Sequence, residues 1–189
     1  PRFDHFRKKF LIPEDVTVFL YQGALSHGRG ILQLVEVFKS IDKKAVVVFM
    51  GYGTLEPLIK EASHRYDTIF FHEAVSPDVL LEYTGSADVG LSLIEDTCLS
   101  YRYCLPNKMF EYIMVGIPII VSDLPEMRKV VQEYGVGVIA QNGELGLTQV
   151  IEEAILLSKQ AKKESFDRVR REYNWENQEK RLLEVYDAL

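Results

Sequence analysis

The chain has 189 residues, 47% hydrophobic and 26% charged, with a formal net charge of -6. This balance excludes the disordered and membrane-spanning classes, and the acidic total excludes general nucleic-acid binding, which rests on surplus Lys and Arg. A chain of this length buries a core without disulfides or a structural metal, and Cys98 and Cys104 match no zinc or redox spacing, so free thiols are expected.

Residues 1–15 read as a linker or N-terminal extension. Arg2, Arg7, Lys8 and Lys9 cluster there without the apolar stretch of a signal peptide, so a cytoplasmic location is expected. From residue 16 to 189 the pattern is one domain, in which short β-rich runs alternate with amphipathic segments. Strands are expected at 16–22, 45–50, 68–71, 88–93, 117–121 and 137–140. Most are continuous apolar runs, as strands buried on both faces should be.

Helices follow at 30–41, 55–65, 77–85, 107–115 and 125–134. Thr54, Ser76 before Pro77, and Asp123 shortly before Pro125 suit caps or first turns. The last part is purely helical, at 145–157, 161–173 and 175–189. The expected class is α/β: a Rossmann-like, doubly wound, six-stranded parallel sheet with helices on both faces and further C-terminal helices. Ligands of such sheets bind outside the carboxyl ends of the strands, which points to the loops 23–29, 51–54, 72–76, 94–106 and 122–125.

The first of these loops contains Gly23, Gly28, Arg29 and Gly30 between a strand and a helix. Glycines there let backbone amides approach a phosphate at the positive end of the helix, with Arg29 as a clamp. A tight turn carrying a surface Arg reads equally well. A P-loop is excluded because Arg29 and Gly30 stand where Lys and Ser or Thr are required, and the dinucleotide fingerprint fails at Gln33.

The second feature runs from Leu105 through Pro106, Asn107, Lys108 and Glu111 to Tyr112, followed by Gly116, Pro118 and Asp123. A helix opening at Pro106 and Asn107 offers free amides for an anion, joined by Lys108. Glu111, one turn inside, has two oxygens for the hydroxyls of a pentose. Its alternative reading is compensation of the helix dipole.

With Gly51, Tyr52 and Gly53 after the second strand and the Trp175 to Tyr186 segment at the end, these landmarks follow an order that resembles the C-terminal, donor-binding domain of the GT-B-fold, family-4 (group 1) glycosyltransferases. The resemblance implies a nucleoside-diphosphate sugar as donor, uridine before guanosine. It makes Gly23, Gly28, Arg29, Asn107 and Lys108 diphosphate ligands and Glu111 the ribose ligand. Gly51, Tyr52, Gly53, His72, Val75 and Tyr103 fall near the base or sugar, although His72 by itself reads as structural. No catalytic residue is assigned.

Two positions depart from the family. Ala24 replaces a second phosphate-binding Arg, and Tyr103 replaces the first Glu of the E-x7-E pair. The variant resembles a bacterial subgroup that builds surface polysaccharides. The sequence lacks an Asp-x-Asp pair, so neither metal nor cofactor is expected. The family implies retention of configuration, an acceptor that is a glycan or lipid-linked, and a separate N-terminal acceptor domain, without which the chain would bind but not turn over. Lys159, Lys162, Lys163, Arg168, Arg170 and Arg171 read as a solvated face, or as a contact with the inner face of an anionic membrane. A sugar-nucleotide epimerase and a non-catalytic binding domain remain as alternatives.

Overall fold

The computed structural model describes residues 3–42, 44–141, 144–160 and 163–188. Six parallel strands form one sheet: β1 (Thr17–Ala24), β2 (Ala45–Tyr52), β3 (Ile69–His72), β4 (Val89–Ser92), β5 (Ile119–Ser122) and β6 (Gly137–Ala140). Their order is β3-β2-β1-β4-β5-β6, so chain direction across the sheet reverses between β1 and β4. The doubly wound class is therefore observed.

Successive residues of β1 serve opposite faces, Phe19 and Tyr21 one core and Val18 and Leu20 the other. All four are fully buried, which is why the strand reads as an unbroken apolar run. The first face is covered by α2 (Ile31–Ser40), α3 (Glu56–Arg65) and α8 (Glu144–Gln160). The second is covered by α6 (Asn107–Val115), α7 (Pro125–Tyr134) and α9 (Lys163–Glu172). α4 (Pro77–Thr84) packs beside α6, and α10 (Trp175–Asp187) ends the described chain. Among the described residues no helix is long and apolar enough to cross a membrane.

Several expectations are corrected. Within 1–15 lies a helix, α1 (His5–Phe10), whose Phe6 is fully buried in the second core. A further short helix, α5 (Leu99–Arg102), interrupts the loop 94–106. β1 and β2 each continue two residues beyond their expected ends, because paired glycines let the two backbones stay together. A Cβ on Gly51 would stand 1.9 Å from Gly23 O, and one on Gly53 2.4 Å from Leu25 O. Leu25 N–H donates to Tyr52 O at 2.9 Å and Leu55 N–H to Leu25 O at 2.9 Å, extending the pairing into the loop.

The expected caps differ too. Ser76 occupies the N-cap of α4 without a side-chain bond, while Leu55 and Leu124 hold the positions expected for Thr54 and Asp123. Asp123 instead pairs with Arg128. Asn174 caps α10, accepting from Asn177 N–H at 2.8 Å. Arg2, Lys162, the expected start of one helix at Ala161 and the expected end of the last helix at Leu189 lie outside the described residues.

One buried tyrosine ties the sheet to α6 beneath the switch point. Tyr112 Oη accepts from Gln22 N–H at 3.1 Å and lies 3.0 Å from Leu20 O, to which it donates. Its ring crosses β4 at Gly90, where a Cβ would come within 2.2 Å of it. Tyr112→Phe should lower stability in urea unfolding by about 1–3 kcal/mol, because the Gln22 amide is left buried without a partner. A loss below about 0.5 kcal/mol would contradict this account of the junction.

Candidate functional site

At the switch point the carboxyl end of β1, the turn into α2 and the first turn of α6 enclose a cleft of about 480 Å³, within the range of small-molecule sites. Gly23, Arg29, Val75, Asn107, Lys108 and Glu111 all line it, together with Ala24. Two sequence features more than seventy residues apart thus meet, because β1 and β4 are adjacent strands and α6 packs against β4 while its Tyr112 bonds to β1.

The turn into α2 depends on Gly30, which sits at the N-cap with φ 66° and whose Cβ would stand 2.6 Å from the Leu93 side chain. This close approach holds the neighbouring Arg29 over the cleft. The Arg29 guanidinium stacks 5.0 Å from the Tyr101 ring, and its Nε is buried with no hydrogen-bond partner among the described residues. Burial of a charge in this way is costly unless a counter-charge arrives.

Lys108 is in the same condition. It is the second residue of α6, where the helix dipole already repels a cation. Its Nζ lies 3.7 Å over the Tyr21 ring, buried and without a hydrogen-bond partner among the described residues. Burial first, and then repulsion by Arg29, push its pKa down to about 7, with Glu111 opposing the shift. Two cations therefore converge on one cleft without satisfying each other.

Glu111 lies on the far side of Lys108, on the same helix. Its Oε2 accepts from Gln22 Nε2 at 2.5 Å, and Gln22 Oε1 accepts from Thr84 Oγ1 at 2.9 Å. Tyr21 Oη donates to Ala24 O at 2.9 Å, and burial raises its pKa far above the ordinary phenol value. Cations, helix amides and a held carboxylate thus line one wall after another, which suits a ligand with an anionic part and a hydroxylated part.

Six of the expected site residues do not line this cleft. Gly28 lies under Tyr101, whose Cε2 would be 3.2 Å from an added Cβ. Gly51 and Gly53 serve the backbone contact of β1 with β2. Tyr52 and Tyr103 are 72% and 59% exposed and are not among the residues that line the enclosed volume. His72 is buried in an aromatic cluster, 5.8 Å from the Phe6 ring and 5.1 Å from Tyr83, with Nδ1 2.6 Å from Glu73 O. Burial lowers its pKa.

Sequence reasoning missed Tyr21, Gln22 and Tyr101. A signal existed for Gln22, the polar residue ending an otherwise apolar buried strand; Tyr101 gave none, since its role comes only from the fold of its loop. Among the described residues, no group of three or more His, Cys, Asp and Glu side chains is placed to hold a metal ion.

The chain matches the family model described as glycosyl transferases group 1 over residues 2–168. No curated protein matches it. Among solved structures it is similar to sucrose-phosphate synthase from Thermosynechococcus elongatus, with 20% identity, 96% of this chain and 47% of that chain covered, and a TM-score of 0.74. HepE from Anabaena in complex with UDP and glucose gives 12% identity, 98% and 52% coverage, and a TM-score of 0.78. The catalytic domain of cholesterol-alpha-glucosyltransferase from Helicobacter pylori gives 15%, 84% and 99%, with a TM-score of 0.66. At these identities the likeness is one of fold. The chain spans about half the length of the first two.

Proposed function

Because the chain belongs to the group 1 glycosyltransferases, we propose that the cleft between β1 and α6 receives the diphosphate and pentose of a sugar-nucleotide donor. The observation that carries this reading is the pair of buried nitrogens, Arg29 Nε and Lys108 Nζ, which lack hydrogen-bond partners among the described residues and border the same cleft. A diphosphate between them replaces mutual repulsion with charge-assisted hydrogen bonds to both. The amides opening α6 add to the same field.

In transfer, negative charge grows on the departing diphosphate, and groups fixed around it lower that barrier without rearranging. Arg29, Lys108 and the first turn of α6 fill this role, and we assign no metal to it. Glu111 accepts hydrogen bonds from the pentose hydroxyls. The sugar is a hexose transferred with retention of configuration to a glycan or lipid-linked acceptor, as in surface-polysaccharide synthesis. The acceptor site belongs to a further domain, in keeping with a chain about half as long as sucrose-phosphate synthase. This chain by itself then binds donor in the cytoplasm without turning it over. Uridine is favoured as the base, a choice supported by the UDP held in HepE.

Titration calorimetry with uridine, guanosine and adenosine diphosphates, with and without magnesium, tests the reading. Micromolar to millimolar affinity for uridine diphosphate is expected, independent of magnesium, as befits half a cleft. Arg29→Ala should weaken it by about 10- to 100-fold, the loss of a charge-assisted contact. Equal affinity in wild type and Arg29→Ala would remove the diphosphate from this cleft.

A further inference from the structure

The Glu111 carboxylate is held by a directed chain of side chains from three separate elements. Gln22 near the end of β1 is 2% exposed and Thr84 at the end of α4 is fully buried. We infer that Gln22 is a positioning residue that fixes Glu111 for the pentose, and that Thr84 fixes the orientation of Gln22. This rests on the proposed role of Glu111 as pentose acceptor.

The direction of the chain follows from counting protons. Thr84 Oγ1 has a single hydrogen and two carbonyl oxygens in reach, Gln22 Oε1 at 2.9 Å and its own helix's Leu80 O at 2.8 Å. Donation to Leu80 would oblige the hydroxyl to accept from the Gln22 amide, and the amide oxygen would then face Glu111. That places two oxygens carrying lone pairs 2.5 Å apart, with no proton between them while Glu111 is ionised. An ionised Glu111 therefore selects the observed orientation, in which Thr84 donates to Gln22 and Gln22 donates to Glu111. One carboxylate oxygen is engaged by the protein, and Oε1 is left for a ligand hydroxyl.

A carboxylate fixed in this way disfavours a ligand that lacks the hydroxyl, because an acceptor covered by the bound ligand would go unpaired. The consequence is discrimination between ribose and 2′-deoxyribose that depends on residues outside the pentose contact itself. Thr84 does not line the cleft, so a purely structural role for it would not alter this ratio.

The test is calorimetry of uridine diphosphate, 2′-deoxyuridine diphosphate and pyrophosphate with wild type, Glu111→Ala, Gln22→Leu, Thr84→Val and Thr84→Ser. Wild type should prefer the ribonucleotide by about tenfold or more, and Glu111→Ala should bring the ratio near one. Gln22→Leu should reduce the ratio to within about threefold. Thr84→Val should reduce it with pyrophosphate affinity unchanged, and Thr84→Ser should restore it. If Gln22→Leu does not fold, the two Thr84 variants carry the same test from the far end of the chain. A wild-type ratio in both Gln22→Leu and Thr84→Val, or in Thr84→Val alone where Gln22→Leu is unfolded, overturns the positioning role if Glu111→Ala still abolishes the preference. A wild-type ratio in Glu111→Ala overturns the pentose reading of Glu111 as well.

Discussion

Lys108→Met should make the free protein more stable and its ligand complex weaker. The side chain puts an ammonium in a buried position beside Arg29, and its pKa of about 7 records the strain. Methionine fills a similar space without charge, so a gain of about 1–3 kcal/mol in urea unfolding near pH 7 is expected. Affinity for a nucleoside diphosphate should fall by about 10- to 100-fold, since a charged donor to phosphate is lost. A residue that merely packs would lose stability and leave binding alone.

The pH dependence has a definite sign. Lys108 has a folded pKa lower than that of an unfolded lysine, so between about pH 7 and about 10.4 the unfolded chain holds more protons. This contribution makes stability rise with pH across that window, and Lys108→Met should remove the rise. Binding shows the complement. At pH 8 the free Lys108 is mostly neutral and the bound one charged, so complex formation should take up close to one proton in wild type and none through this group in Lys108→Met. Titrations in buffers of differing ionisation enthalpy read this directly.

Arg7→Ala should be the most damaging single change to the fold, lowering stability by about 3–5 kcal/mol. Arg7 is 6% exposed, donates from Nη2 to Asp88 at 2.6 Å and to Val16 O at 2.9 Å, and so pins α1 beneath β1 and β4. Asp88 also accepts from Val18 N–H at 2.8 Å. Removing the guanidinium breaks the Asp88 ion pair and takes its donor from Val16 O, so two ties between α1 and the sheet are lost together. Urea unfolding checks the size, and a cost under about 1 kcal/mol would mean that residues 5–10 act as a tether rather than as part of the domain.

That helix was hidden for a physical reason. Its six residues carry four charged or ionisable side chains, His5, Arg7, Lys8 and Lys9, and its two phenylalanines give too short a period to stand out. The sheet was legible because strands buried on both faces lack polar alternation, as 18–21 and 45–50 do. The strand ends were not, since Gly51 and Gly53 read as loop residues until the backbone of the neighbouring strand is seen against them.

The site divides along the same line. Arg29, Lys108 and Glu111 were accessible from their places at helix openings, where chemistry and spacing coincide. Tyr52 and His72, which end β2 and β3, and Tyr103, which follows α5, carry polar groups near the carboxyl edge of the sheet and so attract the same inference, yet none of them lines the cleft, because side-chain direction there is set by packing that sequence does not encode locally. Gln22 was available as an anomaly, a polar side chain in a buried strand, but its pairing with Thr84 and Glu111 was not.

A crystal structure of the protein soaked with uridine diphosphate would show whether Arg29 and Lys108 hold the diphosphate. Phosphate oxygens should lie within hydrogen-bond distance of both Arg29 and Lys108, with the pentose hydroxyls on Glu111. Nucleotide bound elsewhere, or in this cleft with its phosphates directed away from both cations, would contradict it.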